Sequence, residues 1–191
     1  MPMWEWIVIA ACVVIVVAAV TVAAMAMISR RRTERLKEHY GFEYERLIDE
    51  TGDPNAAEKE LAARERAHDK LHIVALTPSA FTDFNNRWRQ VQAGFVDDPA
   101  RAVGAADRLV NEVMREKGYP VDDFDQRAAD ISVEHPEIVE NYRAAHGIHR
   151  SQQNGGVSTE QQREAFVHYR ALFGRLLVTG QQSGTSQEAS A

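Results

Sequence analysis

The sequence predicts an all-α protein, with a single N-terminal transmembrane helix followed by a compact multi-helix bundle. Three observations lead there. Residues Trp6–Ile28 read WIVIAACVVIVVAAVTVAAMAMI, without a charge, a glycine or a proline. Four of the six prolines stand where a helix would begin, in Asp53-Pro54, Thr77-Pro78, Asp98-Pro99 and His135-Pro136. At that first helical position the missing N–H costs nothing. Between these starts apolar residues recur at three- and four-residue spacing, and no clear alternating segment marks a strand.

The apolar run comes first. As a helix it reaches roughly 33 Å, about one hydrocarbon thickness. A cleaved signal peptide would have a positive n-region and a shorter apolar core. Here the leading MPMWE has no Lys or Arg, so a retained anchor over residues 1–29 is expected. Arg30, Arg31, Arg32, Arg35 and Lys37 follow directly. Basic residues beside a span stay on the cytoplasmic side, which predicts a cell-membrane protein with its N-terminus outside and its helical domain cytoplasmic. Trp4 and Trp6 stand where an interfacial aromatic belt belongs. Cys12, Val16, Ala19, Ala23 and Ala26 form a stripe of small side chains. Through it two such helices could approach as a homodimer, although alanine abundance alone explains the stripe.

Residues 1–37 carry five basic against two acidic side chains, leaving 17 basic and 26 acidic side chains for the remainder. A domain so acidic is repelled by phosphate backbones, and nucleic acid is not an expected partner. The only cysteine is Cys12, inside the apolar run, so the domain has no disulfide, thiolate metal site or cysteine nucleophile.

Residues 30–52 are expected to form a basic stem, helical to about His39 and interrupted at Gly41, then a short helix with Tyr44, Leu47 and Ile48, ending near Gly52. The helical domain spans 53–178. Its first helix, 54–72, is thinly apolar (Ala57, Leu61, Leu71) and reads as an outer element. Over 78–96, Phe81, Phe84, Trp88, Val91 and Phe95 share one face and form the best core candidate. Over 99–117, Val103, Ala106, Val110 and Val113 do the same, and Gly118 closes that helix. Short helices follow from about Asp122 to Ser132 and from Pro136 to about His149. Ser158 and Gln161 make a capping-box pattern ahead of the last helix, whose apolar face is Phe166, Tyr169, Phe173, Leu176 and Leu177. Ile73-Val74-Ala75-Leu76 is the one short segment that reads ambiguously. The tail, 179–191, has nothing to bury and is expected to be disordered.

The run Arg87-Trp88, Gln92, Phe95-Val96-Asp97-Asp98-Pro99, Ala106-Asp107, Val113-Met114, Gly118-Tyr119-Pro120, Phe124, Arg127-Ala128-Ala129-Asp130, His135-Pro136 and Tyr142-Arg143-Ala144-Ala145-His146 resembles an uncharacterised family of bacterial helical proteins. The resemblance implies one helical domain over 79–178. It implies no reaction.

Candidate chemistry is sparse. His68 and His72 stand four apart, as two ligands of one metal would on a helix, but a third ligand is missing and surface histidines are the simpler reading. His146 and His149 stand three apart; for His146 a hydrogen bond to a carboxylate is expected. Asp97-Asp98 and Asp122-Asp123-Asp125 stand at helix N-termini, where capping explains them. No phosphate loop, nucleophile elbow or zincin motif occurs. No cofactor, metal or catalytic residue is therefore expected, and the balance leans against an enzyme. The polar groups to consider for a shared pocket are Arg87, Trp88, Tyr119, Asp122, His135, Asn141, Tyr142, Arg143 and His146. The expected function is a membrane-tethered, non-enzymatic helical interaction module, an adaptor or scaffold with a protein partner. The alternative is a small-ligand or metal-binding sensor using the region Tyr119–His146.

Overall fold

The computed structural model describes residues 3–178, with side chains from residue 15 onward, and within them finds eight helices and no strand. They are α1 (Met3–Tyr40), α2 (Phe42–Thr51), α3 (Pro54–His68), α4 (Pro78–Gly94), α5 (Pro99–Glu116), α6 (Phe124–Glu134), α7 (Pro136–Gln153) and α8 (Thr159–Val178). The tail from 179 and the side chains of Trp4, Trp6 and Cys12 lie outside the described residues.

Local chemistry sets the helix starts as the prolines suggested. The side chains of Asp53, Thr77 and Asp98 accept hydrogen bonds from the backbone N–H groups of Asn55, Ala80 and Arg101, each beside a proline in the first turn. Asp123 caps α6 in the same way, through Gln126. His135 begins α7 without a side-chain cap. Ser158 accepts from the N–H of Gln161, whose side chain accepts in return from the N–H of Ser158, the reciprocal pair of a capping box. Besides shifts of about two residues at α4 and α6, the structure differs from the sequence expectation in these places. α3 stops at His68, so His72 is not on a helix. α7 continues to Gln153. Residues 73–76 have no regular secondary structure, and the Val74 N–H donates to the Lys117 carbonyl at 2.9 Å.

Two cores result. In the larger, α5 is central and buries Ala102, Val103, Ala106, Leu109, Val110, Val113 and Met114. α8 lies against it and against α7, α4 flanks α5, and α6 lies on α7. Trp88 of α4 stacks on Phe173 and Phe166 of α8, with ring centroids 4.6 and 5.2 Å apart. The smaller core contains Leu36 and Tyr40 of α1, Tyr44 and Leu47 of α2, and Ala57 and Leu61 of α3. α3 therefore packs with the stem as well as against α6. Thr33 donates to Glu58 at 2.6 Å and Tyr40 to Glu65 at 3.4 Å. Both pairs are 25 residues apart, so α1 and α3 run side by side in the same direction while α2 returns between their ends.

α1 is one uninterrupted helix from the apolar run into this smaller core. Ile15, Val16, Val17, Val20, Val22, Met25, Met27 and Ile28 are 58–67% exposed. Among the described residues no helix is long and apolar enough to cross a membrane. The apolar side chains described, 15–28, amount to about 21 Å of helix, short of a hydrocarbon core of about 30 Å. The remainder of the run, 6–14, is where the side chains are not described.

Gly118 follows α5 with φ of +95°, and a Cβ there would stand 2.5 Å from the His72 carbonyl oxygen. Both the left-handed backbone and the close approach of residues 72–74 require glycine. Replacing Gly118 with Ala should destabilise the protein by about 2 kcal/mol or more, read as a lowered denaturation midpoint. An unchanged midpoint would contradict the close approach.

Candidate functional site

Polar side chains inside the protein form three groups. The tightest centres on Glu43, a residue only 3% exposed in the first turn of α2. Its carboxylate accepts from Arg46 at 2.8 and 3.0 Å, from Arg64 of α3 at 2.7 Å, and from Arg143 of α7 at 2.6 and 2.9 Å. Burial alone would raise its pKa, but the hydrogen bonds from Arg46 and Arg143 prevail and hold it down at about 2. Paired donors from a planar guanidinium fix orientation as well as charge. Arg143 thereby locks α7 of the large core to α2 of the small one.

The second group lies inside the large core. Asp107 of α5 accepts from the Tyr169 hydroxyl at 2.8 Å and from Asn111 at 3.2 Å. The Tyr142 hydroxyl donates to Asn111 at 3.4 Å and accepts from Arg127 at 2.9 Å. The His146 ring stacks on Phe124 with centroids 3.7 Å apart, and its Nδ1 is 3.9 Å from Asp107. Burial pushes the Asp107 carboxyl up, but the neighbouring His146 imidazole and the Tyr169 hydrogen bond outweigh it and the net shift is downward. Burial raises both tyrosines, Tyr142 to about 12 and Tyr169 further. His149, one turn on, is lowered by its own burial.

The third group forms the seam between α3 and α6. Tyr119 donates to Glu134 at 2.6 Å, and His68 Nε2 is 3.5 Å from the other Glu134 oxygen. His68 is thus turned inward, against the expectation of a surface residue. Lys117, 1% exposed, donates from Nζ to the Leu176 carbonyl in the last turn of α8 at 3.0 Å. Loss of solvation lowers its pKa, and Glu134 partly restores it. The same burial lowers His135 and raises Asp130.

The nine residues singled out from sequence do not converge. Arg87 pairs with Glu112 on the surface, and Trp88 belongs to the aromatic stack. Tyr119 and His135 are in the seam with Glu134; Tyr142 and His146 are in the α5–α8 network. Arg143 holds Glu43. Asp122 is exposed and Asn141 half-buried. Glu43, Arg46, Arg64, Asn111, Lys117 and Glu134 were not anticipated. Asp107 had a signal, since it stands four after Val103 and three before Val110, inside the apolar stripe.

The principal clefts lie elsewhere. One of about 290 Å³ and another of about 500 Å³ adjoin where the end of α1 meets the α6–α7 junction, sharing Glu38, His39, Pro136 and Glu137. A third, of about 360 Å³, contains Arg87 and Glu112; a fourth, of about 250 Å³, runs between α4 and α5 past Val91 and Ala102. Of the nine residues only Arg87 lines any of the four. Among the described residues no group of three or more His, Cys, Asp or Glu could hold a metal ion.

Comparison with known proteins adds no relative: no protein family, no curated protein and no solved structure matches this chain.

The Glu43 site predicts a dependence on acidity. Its folded pKa lies below the ordinary carboxylate value of 4.5, so its contribution is complete above pH 4.5 and is lost as pH falls towards 2. Glu43→Gln should cost about 2–4 kcal/mol at neutral pH, by leaving three guanidinium groups without their common carboxylate. Its stability should also lose most of the wild-type slope between pH 4.5 and 2. Urea titrations of both proteins across that range test this, and parallel pH profiles would refute it.

Proposed function

We propose that this chain is a membrane-tethered, non-enzymatic helical interaction module, an adaptor or scaffold held at the cytoplasmic face of the cell membrane by a single N-terminal span. The observation that carries the reading is the row of exposed apolar side chains on α1, Ile15 to Ile28, on a helix that continues without a break into the domain core. An exposed apolar surface of this extent calls for a partner or a bilayer. With residues 6–14 the run has the length of one span, and Arg30, Arg31, Arg32 and Arg35 set its direction. The resemblance of residues 87–146 to a bacterial helical family belongs to the same proposal.

The interior supports a binding role over catalysis. Asp107, Tyr142, His146 and Tyr169 are engaged with one another, and Tyr119 with Glu134. Buried polar groups hydrogen-bonded in this way specify a core. The sensor alternative would use the same groups, and it draws on one observation: the Nδ1 atoms of His146 and His149 are buried without a hydrogen bond near Asp107.

Membrane fractionation tests the tether. The full chain should stay with the membrane after an alkaline wash, and Val16→Arg with Val20→Arg should release it, because each central Arg costs about 2.5–3.5 kcal/mol of insertion. A reporter fused to the C-terminus should be active only inside the cell. A wild-type chain found in the soluble fraction, or an active exported reporter, would overturn the reading.

A further inference from the structure

The two adjoining clefts beside α1 have a composition and a height that together describe a partner. Their walls carry Glu38, Glu43, Glu65, Glu134, Glu137 and Glu140 against Arg35 and Arg46. Glu43 is neutralised by its three arginines and Glu137 pairs with Arg175 at 3.0 Å. Glu38 and Glu140 form no ion pair among the described residues, while Glu65 accepts from Tyr40 and Glu134 accepts from Tyr119 with His68 and His135 beside it. Tyr40, Pro136 and Val139 supply the apolar part of the lining, and Phe42 stands at the rim, 77% exposed.

Height follows from α1. Counting from Ile28, the clefts begin at Arg35, about 10 Å along the helix, and reach its end at Tyr40, about 18 Å along it. α1 is unbroken to Tyr40, and its packing with α2 and α3 joins the domain to it. The clefts therefore lie a short distance from the level at which the apolar run ends. A neighbouring membrane protein presents at that level the residues next to its own span, and on the cytoplasmic side these are enriched in Lys and Arg.

We propose that this acidic cleft, lined by Glu38, Glu65, Glu134 and Glu140 with Phe42 at its rim, is a docking site for the basic juxtamembrane segment of a neighbouring membrane protein. The inference rests on the anchoring proposed above and adds the chemistry of the partner. Charge complementarity selects the segment, while the exposed aromatic and the apolar wall accept an aliphatic side chain carried among its Lys and Arg residues.

The experiment uses the full chain in phosphatidylcholine nanodiscs and a fluorescein-labelled 12-residue peptide of alternating Lys and Leu, read by anisotropy. Glu38 and Glu140 are exposed, so E38K with E140K can be made without touching the core. The double variant should weaken binding at least tenfold, Phe42→Ala several-fold, and added salt should weaken the wild type progressively. E164K, eleven residues back along α8 from the Arg175 that reaches Glu137, should leave binding unchanged. Equal binding of an alternating Glu and Leu peptide, equal loss in E164K, or no loss in E38K/E140K overturns the proposal. So does a cleft filled by a second copy, which would appear as crosslinking between Phe42→Cys chains that the peptide does not compete away. Incorporation into the nanodisc separates the two ideas: a chain that stays out overturns both, and an incorporated chain that ignores the peptide overturns only the docking site.

Discussion

One buried carboxylate holds the two halves of this protein in register. Glu43 lies among groups from α2, α3 and α7, and three guanidinium groups compensate its removal from water. A charge buried this far is tolerable only when it is paired and hydrogen-bonded. Here the pairing also solves a problem of assembly. The small core of Leu36, Tyr40, Tyr44, Leu47, Ala57 and Leu61 has no preferred orientation against the large one, because apolar contact is not directional. Arg143 of α7 and Arg64 of α3 give that contact a direction, and Arg64 also reaches to 3.5 Å from Ser132 on α6.

The large core is organised on a similar principle, with tyrosines in place of arginines. Asp107 faces the interior of the bundle from the middle of α5, accepts from Asn111 and from Tyr169 of α8, and lies 3.9 Å from the His146 ring of α7. The aromatic rings provide the buried area, while the Tyr169 hydroxyl donates to the acid and that of Tyr142 to Asn111. Lys117 extends the same logic to a helix end. Its ammonium group meets the Leu176 carbonyl, at the negative end of α8, where a cation is favoured by the aligned peptide dipoles. The side chains that resemble a binding constellation in the sequence are, in the fold, the fasteners between helices.

Much of the helix pattern was legible, because helix starts are local chemistry. Asp53, Thr77, Asp98, Asp123 and Ser158 cap through atoms two or three residues away, and a proline or a matching Gln marks most of these positions in the sequence itself. Helix ends were less legible: α3 stops at His68 because residues 73–74 must reach the turn after α5, a contact 43 residues away in sequence. The polar groups divide on the same ground. Asp107 interrupts an apolar stripe and could have been read as buried. Glu43 could not, since its flanking residues are ordinary for a short amphipathic helix and its partner Arg143 is 100 residues away. Nor does spacing show that Tyr119 and Tyr142, both in the resembling stretch, face different acids.

The shared 25-residue offset of Thr33–Glu58 and Tyr40–Glu65 carries a consequence for depth. Continued by one helical turn towards the N-terminus, it brings Pro54 level with Ser29, the first residue after the apolar run. The turn between α2 and α3, with Asp53 at its tip, then stands beside the point where α1 leaves the domain. On the anchoring proposed above, α1 cannot sink without driving that turn's carboxylate into hydrocarbon, nor rise without lifting Ile28 into water. Depth in the bilayer would be set by the fold of the domain as much as by the apolar run itself.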